Sequence, residues 1–151
     1  LFVYGTLKRG FHWNMKFLQK STFVSKATTN VAFPLVFGES GVPYLLGDQE
    51  GKGHMISGEL WRISDETLLG LDEYEGVSKG YYERIEIKVK REGSTRDVVA
   101  FVYCLKKSTT ELLEKPFQKA YDLAFHQKNY DAIRHILVKQ EKYLGLADGK
   151  D

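Results

Sequence analysis

The chain has 151 residues and a mass of 17.3 kDa, the size of one ordinary domain, and 42% of its residues are hydrophobic. This hydrophobic content, together with only 28% charged residues, excludes a largely disordered chain. The net charge of +2 provides no positive field for nucleic acid or anionic lipid. The single cysteine, Cys104, excludes an internal disulfide and a cysteine-based zinc site and is compatible with a reducing compartment.

No window of the sequence approaches the ~18 to 20 apolar residues that a membrane-spanning helix needs, and the apolar opening run is too short for a signal-peptide core. The chain also contains no internal repeat and no linker-like segment. We therefore expect a single domain over residues 1–151, without a membrane or nucleic-acid partner and with a cytoplasmic location.

The first half of the chain is predicted to alternate strands with glycine-containing turns. Residues 1–4 form a short buried strand that ends at a glycine, and a short helical pattern around Trp13 follows. Two β-rich runs, at residues 31–37 and 55–63, are separated by residues 38–53. These intervening residues contain five glycines, and we interpret them as a long functional loop.

The second half is predicted to contain a hairpin. Ile85, Ile87 and Val89 alternate with charged residues, the period-2 pattern of a strand with one solvated face. Residues 98–105 are apolar on both faces, and the glycine-containing segment between the two runs has the composition of a hairpin loop. Cys104 is therefore expected inside a strand as a small hydrophobic residue.

From about residue 109 the pattern becomes helical, with apolar residues near the 3.6 spacing at Ile133, Ile136, Leu137 and Leu144. About five strands with two or three helices, and no regular alternation of strand and helix, favour an antiparallel α+β or small-barrel arrangement. Residues 5–10 have neither the Walker spacing nor the dinucleotide-binding glycine pattern, so no nucleotide cofactor is predicted.

An acidic helix is predicted for residues 65–75, because Ser64 is a good N-cap and Gly76 can end the helix. At ~100° per residue, Asp72 and Glu75 fall on the same stripe as the leucines of this helix. An inward carboxylate is costly unless it is hydrogen-bonded, paired or protonated, which makes Glu75 a candidate functional acid. The alternative, on the pattern alone, is a solvated acidic helix end.

Metal and nucleophile chemistry have little support in the sequence. The four histidines lack metal-binding spacing and are interpreted as surface or packing residues: His12, His54, His126 and His135. No serine or threonine lies in a nucleophile elbow. We therefore predict no metal and no cofactor.

Four segments, taken in order, resemble a known family. They are Tyr-Gly-Thr-Leu-Lys-Arg-Gly at 4–10, Gly-Glu-Leu-Trp at 58–61, Leu-Asp-Glu-Tyr-Glu-Gly at 71–76 and Tyr-Glu-Arg at 82–84. Together they resemble the γ-glutamyl cyclotransferase superfamily, most closely its γ-glutamylamine cyclotransferase and AIG2-like branch. The resemblance covers roughly residues 1–105 and implies an α+β fold, a small, mostly antiparallel β-barrel flanked by helices, whereas the helical tail is atypical.

The resemblance also implies an active site. The catalytic glutamate of the family aligns with Glu75, the residue that the helical pattern also selects. Further residues are implied to bind the substrate: Tyr4, Gly5, Thr6, Leu7, Pro43, Tyr44 and Tyr82, with Tyr81 as an alternative to Tyr82. Asn14 lies one residue out of register with a family asparagine and is assigned no role.

The implied reaction is cofactor-free and intramolecular. The α-amine of a small γ-glutamyl substrate attacks its own γ-carbonyl and releases 5-oxoproline and an amine, with Glu75 as general acid and base. The glycine turn would hold either the substrate carboxylate or the developing oxyanion. Three alternatives stay open: cleavage of γ-glutamyl dipeptides or glutathione-like substrates, a non-catalytic binding module of the same fold, and, against the near-neutral charge, a single-strand nucleic-acid binder. The oligomeric state is left open.

Overall fold

The computed structural model describes residues 1–38, 41–122 and 124, which contain seven strands and three α-helices. The strands are β1 (Phe2–Val3), β2 (Thr22–Phe33), β3 (Leu35–Phe37), β4 (Pro43–Leu45), β5 (His54–Arg62), β6 (Tyr82–Arg91) and β7 (Asp97–Leu105). The helices are α1 (His12–Leu18), α2 (Asp65–Tyr74) and α3 (Thr110–Leu113), with single 3-10 turns at Gly47–Gln49 and Val77–Lys79.

Five of the strands form one antiparallel sheet in the order β1-β5-β2-β6-β7. The sheet curves until its two edge strands lie close together, and the Tyr4 hydroxyl at the end of β1 donates a hydrogen bond to the backbone oxygen of Tyr103 in β7 at 2.7 Å. The result is a nearly closed barrel. The expectation of an α+β fold with a small, mostly antiparallel β-barrel and flanking helices is therefore confirmed.

The remaining two strands form a separate hairpin, in which Leu35 of β3 lies opposite Leu45 of β4. The interpretation of residues 38–53 as a long loop is therefore wrong, because this segment contains β4 and the turn Gly47–Gln49. The predicted strand at 31–37 is also corrected. It is two strands, and β2 begins at Thr22, in a Ser-, Thr- and Lys-rich stretch that is stabilised by pairing with β5 on one side and β6 on the other.

The buried residues form two clusters, one inside the barrel and one between the barrel and the helices α1 and α2. Fully buried members of the first include Phe2, Phe33, Ile56, Val89 and Val102. Buried members of the second include Val3, Leu7, Trp13, Leu71 and Tyr103. Cys104 is 1% exposed, which confirms its predicted place as a small hydrophobic residue inside a strand.

The chain beyond the barrel runs back across it as an irregular segment that we call the strap, residues 115–122. Gln118 N donates to Leu35 O at 2.7 Å, and Ser57 N donates to Lys119 O at 3.0 Å. Of the predicted helical tail, the described residues contain only α3, and the apolar positions from 133 onward lie outside them. In the described part of the chain, every helix is too short or too polar to cross a membrane.

Candidate active site

A pocket with a cavity volume of about 80 Å³ opens where the end of β1, the β3–β4 hairpin, the end of α2 and the start of β6 meet. The eight residues predicted for the site all line it: Tyr4, Gly5, Thr6, Leu7, Pro43, Tyr44, Glu75 and Tyr82. The lining also includes Phe2, Val3, Val42, Tyr74 and Tyr103. Tyr81, the alternative to Tyr82, is 46% exposed and is not part of the lining.

The first wall is the glycine turn after β1. Lys8 N donates to Gly5 O at 3.1 Å and closes the turn. The N–H groups of Thr6 and Leu7 have no acceptor among the described residues, so both are available to a ligand in the pocket. A Cβ at residue 5 would lie 2.9 Å from Cγ of Pro43, so glycine lets the hairpin close against the turn.

Buried polar side chains hold this turn from behind. Asn14 Nδ2 donates to Leu7 O at 2.6 Å. Glu59 accepts from Arg9 N at 2.8 Å, Arg9 Nε at 3.2 Å and Trp61 Nε1 at 3.2 Å. The Gly-Glu-Leu-Trp motif thus anchors the Lys-Arg-Gly motif. Asn14, to which no role was assigned from the sequence, is a polar residue on the buried face of a short helix.

Glu75 reaches the pocket from the end of α2. The helix begins as predicted, with Ser64 Oγ accepting from Thr67 N at 3.1 Å, and ends as predicted at Gly76, whose φ is 67°. Glu75 directly follows the last helical residue and lines the pocket. Burial raises the pKa of its carboxyl group from 4.5 to about 8, so near that pH it can both accept and donate a proton.

The second inward carboxylate, Asp72, has partners. It accepts a hydrogen bond from the Tyr103 hydroxyl at 2.6 Å, and Arg84 Nε lies 3.5 Å from the same oxygen, Oδ1. Glu73 is exposed, whereas Asp72 and Glu75 are partly buried, so the inward direction predicted for these two acids is confirmed. The stripe does not include every leucine of the helix, because Leu69 is 68% exposed. Asp72 ties α2 to the barrel, whereas Glu75 presents its carboxyl group to the cavity.

Tyr103, which was not predicted from the sequence, lines the pocket on the outer face of β7. A signal was available, because β7 is apolar on both faces and its outer face must therefore be covered. Val102 and Cys104 point into the barrel, and Tyr103 between them points to α2, where its hydroxyl also lies 3.3 Å from Leu68 O.

Tyrosines make up much of the pocket wall. Burial, followed by the negative charge of Glu75, raises the pKa of Tyr4, Tyr74 and Tyr82, so their hydroxyl groups remain neutral near pH 8. The rings of Tyr44 and Tyr82 lie with centroids 6.4 Å apart and an interplanar angle of 19°. The lining includes no Lys, Arg or His among the described residues, and no cluster of three metal-ligating side chains occurs in that part of the chain.

Comparison with known proteins gives a consistent result. A family model described as "Gamma-glutamyl cyclotransferase, AIG2-like" matches residues 1–131. The gamma-glutamylaminecyclotransferase of Rattus norvegicus is 36% identical over 133 residues, which cover 81% of this chain and 88% of the rat protein. The gamma-L-glutamyl-butirosin B gamma-glutamyl cyclotransferase of Niallia circulans is 34% identical over 108 residues, 68% of this chain and 65% of that protein.

The crystal structure of an AIG2-like protein from Mus musculus superimposes with a TM-score of 0.72 at 34% identity, covering 81% of this chain and 86% of the mouse chain.

Proposed function

The chain belongs to the γ-glutamyl cyclotransferase, AIG2-like family, and from this membership and its pocket we propose that it converts γ-glutamyl amines into 5-oxoproline and a free amine. The proposed general acid and base is Glu75. The proposed substrate-binding residues are those of the glycine turn, Tyr4 to Leu7, together with Pro43, Tyr44 and Tyr82.

One observation carries this proposal. A carboxyl group with a pKa of about 8 shares a small pocket with two N–H groups that have no acceptor among the described residues. Cyclisation of a γ-glutamyl group needs these two components, a group that moves a proton and donors for an anionic oxygen. Because nucleophile and electrophile belong to one molecule, the pocket has only to fold the glutamyl chain into attack geometry.

Glu75 first accepts and then donates a proton in the proposed reaction. The Glu75 carboxylate takes a proton from the α-ammonium group, and the freed nitrogen attacks the γ-carbonyl carbon to form the five-membered ring. The N–H groups of Thr6 and Leu7 bind an anionic oxygen of the substrate, either the oxyanion or the α-carboxylate. Glu75 then protonates the leaving nitrogen, the carbon–nitrogen bond breaks, and the second proton that the ring nitrogen loses departs with the amine as an ammonium ion.

The charges of the pocket favour an amine over an amino acid as the leaving group. In a γ-glutamyl dipeptide a carboxylate lies one carbon from the leaving nitrogen and therefore close to Glu75. No described lining residue carries a positive charge to offset it. While Glu75 is ionised, two negative charges ~4 Å apart repel by about 1 kcal/mol in water and about 4 kcal/mol at a protein surface, which weakens binding of the dipeptide to the ionised enzyme by fivefold or more. In γ-glutamyl-ε-lysine the carboxylate lies several carbons further away.

The names of the relatives support the same choice. Five of the similar proteins, one each from rat, mouse and cow and two from zebrafish, are named gamma-glutamylaminecyclotransferase, and the Niallia circulans relative is named for a γ-glutamyl derivative of butirosin B. The proposed class of substrate is therefore a γ-glutamyl group on an amine.

The proposal is tested by measuring 5-oxoproline release from γ-glutamyl-ε-lysine, γ-glutamyl-alanine and glutathione, with wild type and Glu75→Gln. We expect γ-glutamyl-ε-lysine to have the highest kcat/KM. The Gln side chain is nearly isosteric but cannot move a proton, so Glu75→Gln should lower kcat by about 10²- to 10⁴-fold while the protein stays folded.

Two neighbouring acids on the same helix supply controls. Glu73 is exposed, and Glu73→Gln should leave kcat within about twofold of wild type. Asp72→Asn breaks the ion pair with Arg84, so it should lower the melting temperature while changing kcat far less than Glu75→Gln does. A Glu75→Gln variant with near wild-type turnover contradicts the role of Glu75. Preferred turnover of glutathione or γ-glutamyl-alanine identifies the dipeptide class, and binding without turnover identifies a binding module.

A further inference from the structure

Asn14 lies behind the pocket, on the buried face of α1. Its side chain is only 8% exposed, and its Nδ2 donates to Leu7 O at 2.6 Å. The hydrogen bond fixes the peptide plane that carries the Leu7 carbonyl. The plane that carries the Leu7 N–H is joined to it at the Leu7 Cα through φ and ψ only, so holding one plane narrows the directions open to the other. The bond therefore acts on the backbone of a residue that lines the pocket.

The same helix contacts the segment that carries the acid. The rings of Trp13 and Phe17 lie 5.9 and 4.5 Å from that of Tyr74, measured between centroids. Tyr74 is the last residue of α2, lines the pocket and directly precedes Glu75. Helix α1 thus holds the donor turn through Asn14 and packs against the acid-bearing helix through two aromatic rings.

We infer that Asn14 is a positioning residue, which sets the Thr6 and Leu7 N–H groups relative to Glu75 without touching the substrate. This inference rests on the proposed function. It assigns the buried amide a role in the reaction beyond stabilising the fold, because the bond ends on the turn that carries the donors.

Two substitutions separate this role from simple packing. Asn14→Ala removes the donor. Asn14→Asp keeps the shape, but an ionised carboxylate has no proton to donate and repels the Leu7 carbonyl. When the introduced carboxyl group is protonated, its O–H can donate to Leu7 O, and burial beside a carbonyl raises its pKa toward the assay range.

Activity is measured as kcat/KM for 5-oxoproline release, relative to wild type at each pH. We expect Asn14→Ala to lower this ratio by about 10- to 100-fold at every pH. Asn14→Asp should be equally impaired near pH 8 and should recover relative to Asn14→Ala as the pH falls toward about 6. Met15→Ala on the exposed side of the same helix, where Met15 is 70% exposed, should match wild type.

The split between kcat and KM identifies the bound oxygen. A fall in kcat assigns the donors to the oxyanion, a rise in KM assigns them to the α-carboxylate, and either supports the positioning role. A folded Asn14→Ala with kcat/KM within about twofold of wild type overturns it. If Asn14→Ala does not fold, Asn14→Asp decides, and a ratio to wild type that does not change with pH overturns the inference.

The geometry is tested without turnover by the amide NMR resonances of Thr6 and Leu7. Asn14→Ala should shift both resonances, and Met15→Ala should leave both unchanged. Unchanged resonances in Asn14→Ala overturn the inference. A wild-type protein that turns over no γ-glutamyl substrate refutes the proposed function instead, and the resonances then still decide whether Asn14 orients the turn.

Discussion

At the scale of single residues, Glu75 makes stability depend on pH. Its pKa is raised from 4.5 to about 8, so between these values the folded chain holds a proton that the unfolded chain releases. The stabilisation is complete below about pH 4.5 and is lost as the pH rises to about 8. The Gln side chain of Glu75→Gln does not ionise and loses nothing over this range.

We therefore expect the stability of Glu75→Gln relative to wild type to increase from about pH 5 to about pH 8, by on the order of 1 to 2 kcal/mol because solvent in the pocket screens the charge. Urea unfolding of both proteins at several pH values measures this difference. Glu73→Gln, on the exposed face of the same helix, should show a constant difference. A constant difference for Glu75→Gln as well would mean that the carboxyl group is ionised at neutral pH.

Some residues could be identified from the sequence and others could not. Glu75 stood out because an acid on an apolar helical stripe is a physical anomaly, and Ser64 and Gly76 fixed the limits of that helix. Asn14 gave no such anomaly, because a single amide in a seven-residue helix is an ordinary composition, and the family asparagine that it resembles lies one residue out of register. Its partner is a backbone carbonyl, Leu7 O, and sequence patterns do not indicate which carbonyl groups lack a backbone donor.

At the scale of elements, two glycines should respond in opposite ways to alanine. A Cβ on Gly58 in β5 would lie 2.4 Å from Val3 O and 2.6 Å from the Phe2 ring, so β1 would have to move away from its neighbour. A Cβ on Gly70 in α2 meets nothing within 4 Å. We expect Gly58→Ala to destabilise the protein by about 2 kcal/mol or more and Gly70→Ala to stabilise it by about 0.5 to 1 kcal/mol.

The measurement is the free energy of unfolding in urea for both variants, and the two together test the strand packing and the helix assignment. A neutral Gly58→Ala would mean that β1 is not held against β5 at this point. A destabilising Gly70→Ala would mean that α2 does not continue through its middle.

The elements themselves were predictable where one face is buried and the other is solvated. Strand β6 shows this alternation, and its prediction holds. Strand β2 does not, because most of its residues are only partly buried and it is stabilised by hydrogen bonds to both neighbours. Residues 38–53 were misread because glycines marked turns correctly, while a three-residue strand between them was too short for any periodic pattern.

At the scale of the whole molecule, the pocket joins parts of the chain that are distant in sequence. Pro43 of the hairpin lies against Gly5 of the first turn, and Tyr44 stacks near Tyr82 of β6. Spacing along the chain contains no information on such approaches, so these residues were found through the family resemblance and not from periodicity. The barrel brings them together because β1 and β7 lie next to each other at its seam.

The strap makes the last connection between these parts. Tyr121 is fully buried, and its ring centroid lies 5.7 Å from that of Phe11 and 5.2 Å from that of Phe37. Lys8 Nζ, on the glycine turn, donates to Tyr121 O at 2.5 Å. One side chain at the end of the described fold therefore packs between the segment after the turn and the end of β3.

Tyr121→Ala should accordingly act on both stability and activity. Removing a large buried aromatic ring costs about 3 to 5 kcal/mol, and the turn and the hairpin lose the contact that they share, so kcat/KM should fall in the fraction that remains folded. Tyr121→Leu, which keeps an apolar side chain, should have a stability between those of Tyr121→Ala and wild type.

Lys119→Ala is the control, because Lys119 is exposed and its backbone bond to Ser57 is retained, so it should change stability by less than about 0.5 kcal/mol. Urea unfolding combined with 5-oxoproline release measures both effects. A cost below about 1 kcal/mol for Tyr121→Ala would show that the barrel supports its pocket without the strap.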